Sequence, residues 1–144
     1  MTKPRYNQNV TVTVKNLGSH GEGVGFWHGY TLFIPGALPG ECVRGRISQA
    51  FKRHGEVRLD LLSSLNGERV DAPCPIASSC GGCQLMHLAK EGQLRFKREK
   101  VVKELQRFGF KEELVLPCRA GKAQSYRNKM QLKVFDDEGS LAFG

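Results

Sequence analysis

Three thiols lie within ten residues, in the run Cys74-Pro75-Ile76-Ala77-Ser78-Ser79-Cys80-Gly81-Gly82-Cys83, a C-x5-C-x2-C spacing. A C-x-x-C pair can present both sulfurs to one ion, and Gly81 and Gly82 let the backbone fold round a bulky centre. Pro75 behind the first cysteine also suits an iron–sulfur site, where Cys-Pro junctions recur. On spacing alone three readings stay open: an iron–sulfur cluster, a structural zinc, or thiols that bind nothing. Zinc asks for a fourth protein ligand, and Cys118 and His87 are the local candidates. Cys42 falls inside an alternating segment and reads as a small core residue.

The charge balance points to a partner. Among 144 residues, 22 Lys+Arg face 14 Asp+Glu, a net charge of +8. A surplus of that size favours a polyanion, nucleic acid being the commonest. No apolar run is long enough to span a bilayer, so no membrane partner is expected. Met1-Thr2-Lys3-Pro4-Arg5 lacks the apolar core of a signal peptide. Five cysteines without a secretion signal indicate a reducing, cytoplasmic setting in which clustered thiols bind metal more often than they pair. A monomer is expected.

The elements that must position the cysteines come in two kinds. Upstream, Val10, Val12 and Val14 alternate with Thr11, Thr13 and Lys15, the period of a half-buried strand over 9–17. The glycine-rich run 18–25 fits no phosphate-loop spacing and reads as a turn. Strands are predicted at 25–28 and 30–34, turning at Gly29. Pro35-Gly36-Ala37-Leu38-Pro39-Gly40 then interrupts the sheet. In 42–51, Val43 and Ile47 face one way and Arg44, Arg46 and Ser48 the other. After the turn Lys52-Arg53-His54-Gly55, Val57, Leu59 and Leu61 share a face opposite Arg58 and Asp60. About five strands in roughly 60 residues predict a small antiparallel barrel.

Downstream, 63–72 is a polar linker with a turn at Asn66-Gly67. A basic helix is predicted over 88–108, with Leu94, Val101, Leu105 and Phe108 at helical spacing and Gly109 as its stop. Gly92 is expected to delay its start. Glu91/Arg95 and Glu99/Lys103 stand four apart in the favourable order. Residues 126–135 alternate Met130, Leu132 and Val134 against Lys129, Gln131 and Lys133. Asp136-Asp137-Glu138-Gly139 makes a hairpin turn, and 140–144 begins a return strand. That strand has barely begun where the sequence stops, so a fragment or truncated product is expected.

Gly21-x-Gly23-x-Gly25 and then Phe33-Ile34-Pro35-Gly36-Ala37-Leu38-Pro39-Gly40-Glu41 resemble the TRAM domain, an OB-like RNA-binding barrel. Followed by Cys-Pro-x4-Cys-Gly-Gly-Cys-Gln, a basic helix and Tyr126-Arg127-Asn128-Lys129, the chain resembles from end to end the N-terminal half of the RNA (uracil-5-)-methyltransferases. The resemblance implies a mainly β protein: a TRAM barrel at 3–63, a linker and iron–sulfur loop at 64–86, and at 87–144 a helix with a truncated hairpin opening an α+β central domain. It implies a [4Fe–4S] cluster on Cys74, Cys80 and Cys83, with zinc as the alternative. The family's fourth ligand comes later in sequence, at a position that Cys118 does not occupy. S-adenosylmethionine would enter only through a C-terminal catalytic domain that these 144 residues lack, so no catalytic residue is assigned here.

The expected role is RNA recognition for a methyltransferase of ribosomal RNA, with transfer RNA the other substrate. The alternative is a free-standing RNA-binding module with a structural metal. The residues expected to touch RNA are Arg44, Arg46, Lys52 and Arg53 on one barrel face, then Lys97, Arg98, Arg127 and Lys129. Phe26, Trp27 and Tyr30 are candidates for base stacking, although Phe26 reads better as core.

Overall fold

Alternation of β-branched and polar residues builds the first strand of the protein. Its structure, a computed structural model, describes residues 3–143 apart from Gly81, Ala123, Arg127 and Met130. Strand β1 (Asn9–Leu17) buries Val10, Val12 and Val14 and exposes Thr11 and Thr13. It is followed by β2 (Gly23–Trp27), β3 (Tyr30–Ile34), β4 (Cys42–Ala50) and β5 (His54–Ser64). His28 and Gly29 join β2 to β3 with φ of 47° and 78°, both positive as a two-residue hairpin turn requires.

The strands close a barrel in the order β1-β2-β3-β5-β4. Four seams are antiparallel, and the seam of β3 with the start of β5 is parallel, through Thr31↔His54, Leu32↔Gly55 and Phe33↔Glu56. An odd number of strands cannot close with every neighbour antiparallel, so one parallel seam is obligatory. Val10, Val12, Val14, Tyr30, Leu32, Ile34, Val43, Ile47 and Val57 fill the interior, with Ala37 from the interrupting loop. Tyr30 is only 1 % exposed, which removes it from the candidate stacking residues.

The predicted alternation in β5 fails past Leu59. Gly45 pairs with Leu59 and Arg44 with Leu61, so Asp60 is an extra residue opposite the β4 strand. A bulge of this kind reverses which face later side chains take. Leu61 is accordingly 52 % exposed, and Leu62 packs against the core in its place.

Beyond the barrel the chain is tied back rather than left as a free linker. Glu41, fully buried, accepts hydrogen bonds from the Leu38 amide at 2.7 Å and the Asn66 amide at 3.1 Å. It also takes both Nε (2.5 Å) and Nη2 (2.7 Å) of Arg69. Arg69 Nη2 reaches the Gly36 carbonyl as well, and Asn66 Nδ2 donates to the Pro39 carbonyl. Burial alone would push the Glu41 carboxyl up, but Arg69 and the two amides outweigh it and hold it below its ordinary value. The loop 35–41 that interrupts the sheet is thereby the anchor for everything downstream.

A single turn, α1 (Ala77–Cys80), lies in the cysteine loop, and the long helix α2 runs Lys90–Gln106. The helix starts at Lys90, later than the predicted 88, and Gly92 is buried in its first turn against Leu88, whose Cδ1 would lie 2.8 Å from an added Cβ. Gly109, with φ of 82°, stops the helix as expected. The predicted apolar stripe is only partly covered. Leu94 and Leu105 are half-buried, but Val101 and Phe108 are exposed, and Val102 is the buried valine. Arg95 pairs with Glu68 across the linker. A 3-10 turn follows at Glu112–Leu114, and the next element among the described residues is the hairpin of β6 (Val134–Asp137) and β7 (Ser140–Phe143). Among the described residues the strand predicted at 126–135 is present at its end, where Val134 and Phe135 pair with β7; Arg127 and Met130 lie outside the described residues. A two-stranded hairpin has little else to extend it.

Candidate functional site

The β1–β2 turn, the segment after the cysteines and helix α2 enclose a cleft of about 850 Å³. Ser19 and His20 contribute from the barrel, and Cys83, Gln84, Leu85 and Met86 from the cysteine segment. Lys90, Leu94, Phe96, Lys97 and Lys100 come from α2, while Cys118, Arg119, Lys122 and Tyr126 close the far wall. Five cations line it, and no carboxylate does so among the described residues. Clefts of one sign focus potential and concentrate counter-charged ligands.

Two contacts hold these walls together. Gly21 is buried in the β1–β2 turn with φ of 87°, and an added Cβ would lie 2.8 Å from Leu85 Cδ2. The absent side chain is what lets the cysteine segment rest on the barrel. Lys100 Nζ donates to the Ser19 carbonyl at 2.7 Å and lies 5.8 Å from the Phe96 ring centroid. His87, just before the helix, is enclosed, and its Nε2 has no hydrogen-bond partner among the described residues. Burial, then the Arg69 charge, lowers its pKa, so the neutral ring is favoured.

The three cysteines of the motif are free thiols: Cys74 is half-buried, and Cys80 and Cys83 are exposed. Among the described residues no three of His, Cys, Asp and Glu stand close enough to hold one ion. Gly81, inside the C-x-x-C pair, lies outside them. The donor set suits a soft centre such as iron–sulfide or zinc, but its sulfurs are not gathered into a coordination sphere. Cys118 lines the same cleft as Cys83. Cys42 is half-buried at the start of β4 and is remote from the motif in chain order.

The cations predicted from sequence separate into distinct places. Arg44 is exposed and makes no ion pair among the described residues. Arg46 is held by Asp60 through Nε–Oδ2 at 3.0 Å and Nη2–Oδ1 at 3.2 Å, a fork that raises the Arg46 pKa and lowers that of Asp60. Lys52 and Arg53 sit in the β4–β5 turn, about 25 Å along the hairpin from Arg44 at ~3.3 Å per residue. Lys97 opens on the cleft. Arg98 instead ties the 3-10 turn to α2 through the Glu112 carboxylate and the Val115 carbonyl. Lys129 is exposed, and Arg127 lies outside the described residues. Sequence reading placed Lys90 and Lys100 on the basic helix without assigning them to a site and missed Arg119 and Lys122; the cleft that all four line joins segments distant in the chain.

It also missed an aromatic patch on the opposite side of the barrel wall from the core. Phe33 and His54 meet edge-on with ring centroids 5.4 Å apart, and Phe51 lies 4.8 Å from His54 at 30°. Phe26, read from the sequence as core, points outward and is 56 % exposed. Trp27 is half-buried against the core instead.

Residues 5–55 match the TRAM domain. The chain is also similar to RNA methyltransferases that have not been characterized. One from Listeria innocua is 41% identical over 140 residues, which is 96% of this chain and 31% of the relative. Another, from Halalkalibacterium halodurans, is 39% identical over the same shares. A third, from Enterococcus faecalis, is 34% identical over 141 residues, 95% of this chain and 31% of the relative. The chain therefore spans about a third of the length of these relatives.

Proposed function

We propose that this chain, a TRAM barrel carrying a cysteine loop and a basic helix, is the RNA-recognition portion of an RNA methyltransferase, and that RNA lies in the cleft between those parts. The observation that carries this is the lining of the cleft, with Lys90, Lys97, Lys100, Arg119 and Lys122 and no carboxylate among the described residues. Each phosphate neutralised there releases counterions, so binding weakens as salt rises. Phe96 and Tyr126 give the same cleft apolar surface beside the cations. Among the described residues no helix is long and apolar enough to cross a membrane.

The finer assignments are part of the same proposal. The substrate is ribosomal RNA, methylated at uracil C5 from S-adenosylmethionine by the portion of such an enzyme outside this chain. Cys74, Cys80 and Cys83 would hold a [4Fe–4S] cluster by drawing their sulfurs together, and the cluster would staple the loop that forms one wall of the cleft. Support for this comes from three free soft donors in a short loop with Gly82 beside them.

The test is a titration of a ribosomal RNA hairpin, and of the matched DNA hairpin, at several salt concentrations. Lys97→Ala with Lys122→Ala removes two exposed cleft cations. Each single-strand phosphate that is no longer neutralised takes ~0.7 from the slope of log K against log salt, so the slope should flatten by about 1.4. Unchanged affinity and slope would overturn the cleft as the RNA site.

A further inference from the structure

The barrel carries a second exposed face that the cleft does not use. In register across three strands, Phe26 pairs with Thr31 and Thr31 with His54, while Val24 pairs with Phe33 and Phe33 with Glu56. Side chains at these positions alternate with the buried Gly25, Leu32 and Gly55, so they point outward together. Neighbouring strands lie ~4.8 Å apart, which makes Phe26, Phe33 and His54 one continuous surface, and Phe51 extends it from the β4–β5 turn. The parallel seam of the barrel is what puts β3 beside β5 and so unites them.

This surface is held in place before anything binds. The buried Tyr30 hydroxyl donates to the Phe51 carbonyl at 2.8 Å and also reaches the His54 carbonyl. The Phe51 amide in turn bonds the His54 carbonyl at 2.8 Å. The turn that presents the Phe51 and His54 rings is therefore pinned to the core. Between those rings in sequence stand Lys52 and Arg53, both exposed and without ion pairs among the described residues. The carboxylate on this face, Glu56, lies beside Phe33, further along β5 from the two cations.

We propose that this aromatic face is a base-stacking platform for unpaired RNA, with Phe51 and His54 meeting the bases and Lys52 and Arg53 the adjoining phosphates. The exposed Phe51 and the half-buried His54, next to cations without ion pairs among the described residues, match the two needs of single-strand binding: a π-face for each base and charge for the backbone. A purely hydrophobic protein partner would have no use for the two cations. The inference rests on the reading of the chain as an RNA-recognition module and places unpaired nucleotides on the barrel, apart from the cleft.

The experiment uses a fluorescently labelled single-stranded octaribonucleotide and the same backbone carrying abasic sites. Base stacking is worth ~1–3 kcal/mol per base, or roughly 5- to 150-fold. Phe51→Ala should weaken the base-bearing RNA at least about fivefold, leave the abasic strand unchanged and leave the salt slope unaltered. Phe51→Tyr should restore binding. Lys52→Ala with Arg53→Ala should instead weaken both strands and flatten the slope. If Phe51→Ala changes neither strand, or changes both equally, the platform is refuted. Should the Lys97 and Lys122 substitutions then still weaken RNA, the cleft reading survives without it. Loss on Phe51→Ala with no effect of the cleft substitutions would uphold the platform and refute the cleft. No RNA binding by the unsubstituted chain would overturn both and leave the face for a protein.

Discussion

Replacing Glu41 with alanine should unfasten the helix and cysteine loop from the barrel. The carboxylate is wholly buried and joins four donors: two from Arg69 and the amides of Leu38 and Asn66. Its removal leaves a largely enclosed guanidinium, 19% exposed in its side chain, with the Gly36 carbonyl as its remaining partner among the described residues. Removing one member of a buried ion pair costs about 3–5 kcal/mol, a large share of the ~5–15 kcal/mol that holds a typical domain. At roughly 4–8 °C per kcal/mol for a domain of the barrel's size, the melting temperature of the barrel should fall by roughly 12–40 °C. Trp27, the sole tryptophan, packs against the core and reports the transition by fluorescence. Arg69→Met is the partner test. It strands the carboxylate, so its penalty should shrink as pH falls and Glu41 takes up a proton. In the unsubstituted chain the carboxyl is held below its ordinary value. Its contribution is therefore complete above the unfolded-state pKa and is lost as pH falls through the lowered one; Glu41→Ala should lack that acid limb. A drop of less than about 4 °C for Glu41→Ala, under ~1 kcal/mol by the same scaling, would refute the clamp.

Gly21→Ala should cost on the order of 1–2 kcal/mol for the left-handed backbone alone, and the crowding at Leu85 should raise the reactivity of Cys83 toward a thiol reagent; unchanged reactivity would separate the cysteine segment from the barrel. Tyr30→Phe should cost about 1 kcal/mol for the missing hydroxyl donor and speed amide exchange at Phe51, which a silent exchange profile would contradict. Anaerobically prepared protein should carry iron and sulfide, with loading abolished by Cys80→Ala or Cys83→Ala and kept by Cys42→Ala; zinc in place of iron after anaerobic reconstitution would sink the cluster assignment.

The strands of the barrel were legible because their alternation is local. Val10, Val12 and Val14 announce a buried face within six residues, and the glycine–proline loop after Ile34 announces an end. The bulge at Asp60 was not legible, since it arises from how β4 and β5 pair rather than from either segment alone. The helix was found, with its stop at Gly109, but its buried face was misjudged at Val101 and Val102, where little in the local sequence distinguishes adjacent valines. The cysteine motif was visible as a donor set, whereas the shape of its surroundings was not.

What the sequence determined by itself was chemistry with short range: thiol spacing, strand period, helix stop and a surplus of positive charge. Tertiary structure decided how those charges are used. Arg46 and Arg98 looked equivalent to Arg44 and Lys97, yet closure of the barrel hands Arg46 to Asp60, and the 3-10 turn claims Arg98. Lys90, Lys97, Lys100, Arg119 and Lys122 become one site only because the β1–β2 turn and the cysteine segment bring α2 and the later chain around a common space. Phe33 and His54 become one surface only because an odd-stranded barrel must close with a parallel seam. A side chain's type is written in its own residue, but its partner is set where segments far apart in the chain meet, and electrostatics and stacking depend on the partner.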